Sequence, residues 1–167
     1  MIRKAISQDI PRLKKITEAC ARHMIAQGIF QWNEHYPALA VLTKDVKEET
    51  VYVFEEADTI TGCVMFSMVM DNFYSDITWL TPNTKQLYVH RLAVHPEQQG
   101  KGIARSLMDF GEQLAKENQC LSVRLDTFSK NPRNNRFYQA RNYLQVGEIF
   151  FAQKSPHPFY CYEKVLV

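Results

Sequence analysis

Leu92-Ala93-Val94-His95-Pro96-Glu97-Gln98-Gln99-Gly100-Lys101-Gly102-Ile103-Ala104-Arg105 ends a strand, turns through two glycines and starts a helix. The apolar Leu92, Ala93 and Val94 close a β pattern, and Pro96 halts it because proline offers no N–H to a ladder. Ile103, Leu107, Phe110, Gly111 and Leu114 then recur with helical spacing. Gly100 and Gly102 remove Cβ atoms where a ligand would have to come close. The first amides of the helix have no intrahelical acceptor and carry the positive end of its dipole, so they suit an anion. Each charge–dipole contact contributes roughly 0.3–1 kcal/mol. The pattern is neither a Walker loop nor a dinucleotide fingerprint, and Gly-x-Gly alone equally fits a turn with no ligand.

Upstream, residues 2–6 read as a short strand. Ser7 is expected as an N-cap and Pro11 in the first turn of a helix whose apolar positions are Leu13, Ile16, Ala19, Cys20, Ala21, Met24 and Ile25, closed by Gly28. Residues 29–44 read as irregular or as a second short helix, with a further N-cap at Thr43. Strands are expected over 51–55 and 60–69, joined by the turn Ala57-Asp58-Thr59. A long loop, 71–85, carries Phe73, Tyr74, Trp79 and Pro82; loops of that length inside a compact domain are usually functional or mobile. The strand 86–94 leads into a helix over 101–118, then a strand (121–126), a helix (132–141) and two strands (144–151 and 159–167). This order predicts an α/β fold around one mixed, partly parallel sheet flanked by helices on both faces.

The bulk properties frame that expectation. A chain of 167 residues suits a single domain spanning 1–167. At 46% hydrophobic, with ten Phe, eight Tyr and two Trp, it can fill a core. A formal net charge of +2 and no long basic run argue against nucleic acid or membrane surfaces as partners. Cys20, Cys63, Cys120 and Cys161 stand far apart in apolar stretches, so buried reduced thiols are expected rather than disulfides or a metal site. With no signal-peptide pattern and no long apolar span, the expected location is cytoplasmic.

A second block, Asn131-Pro132-Arg133-Asn134-Asn135-Arg136-Phe137-Tyr138-Gln139-Ala140-Arg141-Asn142-Tyr143, combines an N-cap and proline start with a left-handed stop at Asn142. The two blocks, in this order and spacing, resemble the GNAT superfamily of N-acetyltransferases. The first matches its Gln/Arg-x-x-Gly-x-Gly/Ala loop after Leu-Ala-Val, with Glu97 in place of the first residue. The second matches its Asn…Phe/Leu-Tyr…Gly-Phe helix, with Asn142-Tyr143 in place of Gly-Phe. The likeness is close over the second half and rests on element order in the first.

The resemblance implies acetyl-CoA as co-substrate and acetyl transfer to a primary amine. It assigns the pyrophosphate to the backbone of Gln99, Gly100, Lys101, Gly102, Ile103, Ala104 and Arg105. Leu92, Ala93 and Val94 would lie along the pantetheine arm, pairing with it as an added strand through the backbone of Leu92 and Val94. Asn131, Asn134, Phe137 and Tyr138 would complete the coenzyme contacts.

The chemistry needs a neutral amine. A lysine-like amine of pKa about 10.4 is rarely neutral at pH 7, at a cost of roughly 4–5 kcal/mol, so a general base is required. His90 is the candidate: alternation puts Tyr88, His90, Leu92 and Val94 on one side of the strand, and His90 matches a proton-relaying histidine of the arylalkylamine acetyltransferases. A lone strand histidine is also often structural. Tyr138 matches the family's acid, which protonates the leaving thiolate; as a core tyrosine it needs no such role. Arg91 faces the other way and suits an ion pair, while His95 suits a turn. The acceptor site is expected among Phe30, Trp32 and Tyr36, the Phe73-Tyr74-Trp79 loop and the last strands, with Asp71 and Asp76 as candidate contacts for a cation. Core packing explains Trp32 equally. A non-catalytic acetyl-CoA sensor and a transferase of longer acyl groups or alcohols are the alternatives, and a homodimer is compatible with the family.

Overall fold

The structure is a computed structural model describing residues 1–166; Val167, the expected end of the last strand, lies outside the described residues. The elements are β1 (Ile2–Lys4), α1 (Ile10–Ala26), α2 (Leu39–Lys47), β2 (Val51–Glu56), β3 (Thr59–Ser67), β4 (Gln86–Val94), α3 (Ile103–Glu117), β5 (Ser122–Phe128), α4 (Pro132–Ala140), β6 (Leu144–Ile149) and β7 (Phe159–Val165). Among the described residues the strands form a seven-stranded sheet ordered β1-β2-β3-β4-β5-β7-β6. β4 and β5 are parallel, as a helical crossover between them requires, whereas β1–β2, β2–β3, β5–β7 and β6–β7 are antiparallel. The α/β class and the mixed sheet are as expected. The chain groups into two compact units, one of Met1–Phe66 with His90–Phe110, the other of Ser67–Val89 with the chain from Gly111 onward.

In the first unit, the helical spacing of Leu13, Ile16 and Cys20 on α1 meets Leu42 and Val46 of α2 and the inward residues Val51, Val53, Ile60 and Cys63 of β2 and β3. Trp32 packs against this cluster, in line with its core reading. Two expected caps are corrected. Ser7 lies inside a 3-10 turn, and the carboxylate that ties the entry to α1 is Asp9, which accepts from the Ile6 amide (2.8 Å) and from Arg3 Nη1 (2.8 Å). Thr43 lies within α2 and turns its hydroxyl back onto the Leu39 carbonyl at 2.8 Å; the helix starts after Ala38, where burial of Leu42 and Val46 fixes the face. Between β2 and β3, Ala57 and Asp58 both take positive φ (46° and 57°), the two-residue turn whose twist matches the flanking strands.

Gly62 on β3 decides how closely α3 approaches. A Cβ there would stand 2.9 Å from Ile103 Cγ2, 3.3 Å from Leu107 Cδ1 and 3.3 Å from the Ala93 carbonyl oxygen. Only hydrogen fits between β3 and the start of α3.

β4 is not a regular strand. Arg91 has φ 50°, a left-handed residue inside the ladder, so side-chain alternation does not run unbroken from Tyr88 to Val94. The expectation that Tyr88, His90, Leu92 and Val94 share one side is therefore corrected. Arg91 does make the expected ion pair: its Nη2 is 2.6 Å from Asp45 Oδ2, with both side chains nearly buried.

The second unit is organised around a buried ion pair. Arg124 on β5 and Glu163 on β7 are both fully buried and lie opposite one another in the β5–β7 register, with Arg124 Nε 3.0 Å from Glu163 Oε1. The remaining guanidinium donors reach Asn83 Oδ1 (2.7 Å), the Tyr88 hydroxyl (3.1 Å) and the Thr81 carbonyl (2.7 Å), and the Trp79 ring covers the cation at 4.4 Å. Glu163 accepts from the Ser122 and Thr81 hydroxyls and the Leu80 amide. Burial pushes the Glu163 carboxyl up, but these donors and Arg124 outweigh it and hold the group below the usual range.

Two outcomes are expected from these contacts. Gly62→Ala should lose about 1–3 kcal/mol in a urea melt, because the Ala93 carbonyl cannot step aside. Glu163→Gln should lose about 3–5 kcal/mol, since Arg124 would remain buried and unpaired. Because the Glu163 carboxyl is depressed, its contribution is complete above its unfolded value of about 4.3 and is lost as pH falls through the lower folded value. Stability measured from pH 7 down to 3 should therefore fall less steeply in Glu163→Gln than in the wild type.

Candidate active site

The first unit supplies an anion cradle. After β4, His95 Nδ1 accepts from the Glu97 amide (3.3 Å), which makes it the expected turn residue, and the Gln98 amide returns to the His95 carbonyl at 2.8 Å. Gly100 and Gly102 take φ 80° and 84°, with no heavy atom within 4 Å of where a Cβ would stand. Glycine is thus required by backbone conformation rather than by crowding inside the protein, and the space in front of the loop is open. α3 begins at Ile103, and the Ser106 amide is already bonded to the Gly102 carbonyl at 3.0 Å. The amides just before it precede the intrahelical ladder and sit at the positive end of the dipole. Left-handed residues alternating through such a turn make a nest for phosphate-like anions. These residues fit a pyrophosphate. Exposed Lys101 bonds Gln98 Oε1 through its ammonium at 2.8 Å, and exposed Arg105 stands one residue into the helix from Ala104.

One expected contact is narrowed. The Val94 carbonyl accepts from Gln99 Nε2 (3.0 Å) and Cys20 Sγ (3.1 Å), so both its lone pairs are engaged. Any pairing of a pantetheine arm with this strand falls to the other backbone groups of Leu92, Ala93 and Val94. His90 lies on the same strand at intermediate exposure.

The second unit holds Asn131, Asn134, Phe137 and Tyr138. Asn131 is buried and caps α4 by accepting from the Asn134 amide at 3.1 Å, with Pro132 in the first turn. Asn134 Nδ2 reaches the Thr127 hydroxyl at 3.2 Å, which ties α4 to the end of β5. Asn142 ends the helix at φ 68°, as its type predicts. The Phe137 and Tyr138 rings meet edge-on at 5.2 Å, and Tyr143 and Tyr162 pack on the other sides of Tyr138. The Tyr138 side chain is buried, yet among the described residues its hydroxyl makes no hydrogen bond. Burial raises the Tyr138 phenol well above its ordinary value, and the charge of Asp126 adds to this.

Sequence reading placed Tyr74 in the long loop but missed two constellations in the same unit. Tyr74, in the 3-10 turn Asn72–Tyr74, donates its hydroxyl to Asp126 Oδ1 on β5. Glu112 on α3 gathers Arg141 Nη2 (2.9 Å), the Tyr143 hydroxyl (3.1 Å) and Lys164 Nζ (2.8 Å), which fixes the turn that ends α4. Neither constellation has a local motif; both join residues far apart in the chain. All four cysteines are buried free thiols. Among the described residues no His/Cys/Asp/Glu group has the arrangement of a metal site, and no helix is long and apolar enough to cross a membrane.

Residues 12–143 match the model of the Acetyltransferase (GNAT) family. Among solved structures, the chain is similar to a putative acetyltransferase of Staphylococcus aureus Mu50 at 24% identity and TM-score 0.78, covering 100% of this chain and 99% of that one. It is similar to a GNAT-family acetyltransferase of Streptococcus agalactiae at 22% identity and TM-score 0.82, covering 99% and 94%. It is also similar to the PaiA N-acetyltransferase of Thermoplasma acidophilum, solved in complex with coenzyme A, at 16% identity and TM-score 0.73, covering 99% and 98%. At these identities the structures establish the fold.

Gly102→Val places a β-branched side chain at φ 84° in the cradle. Titration calorimetry should show acetyl-CoA affinity weakened by about tenfold or more, equivalent to roughly 1.4 kcal/mol, with the melting transition still cooperative. Unaltered affinity would separate the loop from the coenzyme.

Proposed function

We propose that this chain, which belongs to the Acetyltransferase (GNAT) family, transfers an acetyl group from acetyl-CoA to a primary amine. The observation that carries the reading is the Tyr138 hydroxyl, carried on a buried side chain and with no hydrogen bond among the described residues. A protein that merely held the coenzyme would have no use for that oxygen, whereas a transferase needs a proton at the departing sulfur. In this reading residues 1–167 act as one catalytic domain, working in the cytoplasm.

The proton balance assigns the roles. An ammonium and a thioester become an amide, a thiol and one proton released to water. The nitrogen loses two protons, and the sulfur gains one. Tyr138 is the acid for the sulfur. Because burial raises its phenol, it stays protonated throughout the neutral range and beyond pH 10, so the proton is always in place. The same low-polarity surroundings disfavour a free thiolate and so favour its protonation. His90 takes a proton from the attacking nitrogen; imidazole titrates near 6.5 and suits that task. The amides from Gln99 through Arg105 hold the pyrophosphate, with Leu92, Ala93, Val94, Asn131, Asn134 and Phe137 along the rest of the coenzyme.

The test is an amine library read by free-thiol release. Turnover on at least one primary amine is expected; tight acetyl-CoA binding with no turnover on any amine would make the chain a sensor instead. Tyr138→Phe should lower kcat roughly 10²–10⁴-fold and change acetyl-CoA affinity little. His90→Ala should lower kcat by a similar factor and simplify the acid limb of the pH profile. An acid limb identical to the wild type would take His90 out of the mechanism.

A further inference from the structure

The long loop ahead of β4 is pinned to β5 by two residues of one face, Arg124 and Asp126, which alternate on the strand. At Arg124 the charges balance: Glu163 neutralises it, and its donors are spent on Thr81, Asn83 and Tyr88. At Asp126 the balance is looser: its one hydrogen bond among the described residues comes from Tyr74, and Lys154 acts on it through its charge. Asp126 is only half-buried, so the carboxylate lies within dense protein yet keeps an opening to solvent. The parallel register with β4 is recorded from Ser122 to Arg124, and Asp126 stands two residues past it. The Tyr74 ring that reaches Asp126 is itself packed against Phe73, Trp79 and Tyr88, with Phe151 against Phe73 at 5.1 Å. A carboxylate held by one phenol and partly open to solvent, with its neighbouring arginine already neutralised, has the chemistry of a receptor for an organic ammonium.

We propose that Asp126 is the acceptor-binding carboxylate: it docks the ammonium of a cationic primary amine and takes its first proton, with Tyr74 as the positioning residue. The inference rests on the acetyltransferase reading and adds the acceptor's class, an amine charged at neutral pH. The step is R–NH3+ with Asp126–COO− giving R–NH2 and Asp126–COOH; the acid then returns its proton to water. His90 remains the acceptor of the second proton, lost as the C–N bond forms. The charged and titratable groups facing Asp126 are Tyr74 and Asp71 from the loop, Lys154 from the β6–β7 connection, Cys161 on β7 and Tyr138 on α4. Burial pushes the Asp126 carboxyl up to about 6, against the Tyr74 hydrogen bond and Lys154, which lower it. It is thus ionised at neutral pH and able to receive a proton.

The test compares wild type, Asp126→Asn and Tyr74→Phe on two acceptors, one charged aliphatic amine and one aromatic amine that is uncharged at pH 7. With the charged amine, Asp126→Asn should lower kcat/KM by about 10²-fold or more and leave one titrating group fewer in the acid limb. Tyr74→Phe should move that limb to higher pH, because the lost hydrogen bond had lowered Asp126. With the uncharged amine, both variants should lose clearly less than with the charged one. Acetyl-CoA affinity and the melting curve serve as the folding control. Equal losses on both amines, or an Asp126→Asn profile with the wild-type limb, would overturn the proposal while leaving acetyl transfer intact. Both acceptors are taken from amines that the wild type turns over in the library; a wild type that turns over no amine there would overturn both readings.

Discussion

The Arg124–Glu163 pair carries more of the second unit than any other contact, because neither charge has water to fall back on. A buried ion pair is worth keeping only when every remaining donor and acceptor is met. That demand recruits Leu80, Thr81, Asn83, Tyr88 and Ser122, so the loop before β4 has one seat. A segment without helix or ladder would otherwise have little to hold it. Seating that loop also seats Tyr74 over Asp126, with Phe73, Trp79 and Tyr88 packed on the Tyr74 ring. Structure and reactivity meet on adjacent inward positions of β5: one charge is neutralised and the next is left for a ligand.

A comparable division holds around the coenzyme elements. In the proposed reading the cradle at Gly100 and Gly102 would bind through backbone, so its chemistry would depend on φ angles and on the dipole of α3 rather than on side chains, and so not on Glu97. Gly62 then lets α3 lie close on β3, which fixes where the amides at the start of the helix stand. Tyr138 works the opposite way. Its position comes from α4, capped by Asn131 and stopped at Asn142, and its proton is retained because the surroundings are apolar.

Much of this was legible from residue order. β4 was read at its observed bounds, the helices α1, α3 and α4 within a few residues, and the Gly loop and Asn131–Tyr143 block in their local roles. Misreadings cluster where tertiary contacts overrule local chemistry. Ser7 and Thr43 are good caps by type, yet Asp9 holds the first turn because Arg3 and the Ile6 amide meet it, and α2 starts where its apolar face reaches the core. The alternation argument for β4 failed at Arg91, whose left-handed φ nothing in its residue type announces.

Sequence by itself determined the periodicities, the glycines and the turn chemistry, hence the element order, the family and the backbone cradle, because each depends on neighbours within a few positions. Only the tertiary structure decided which charges are paired. Asp126 is one acidic residue in a strand until Tyr74, dozens of residues away, is folded against it. Arg124 is one basic residue until Glu163 arrives on the next strand. The reason is physical: the ionisation and availability of a carboxylate depend on the dielectric and the donors around it, and those are supplied by segments that meet only when the chain has folded.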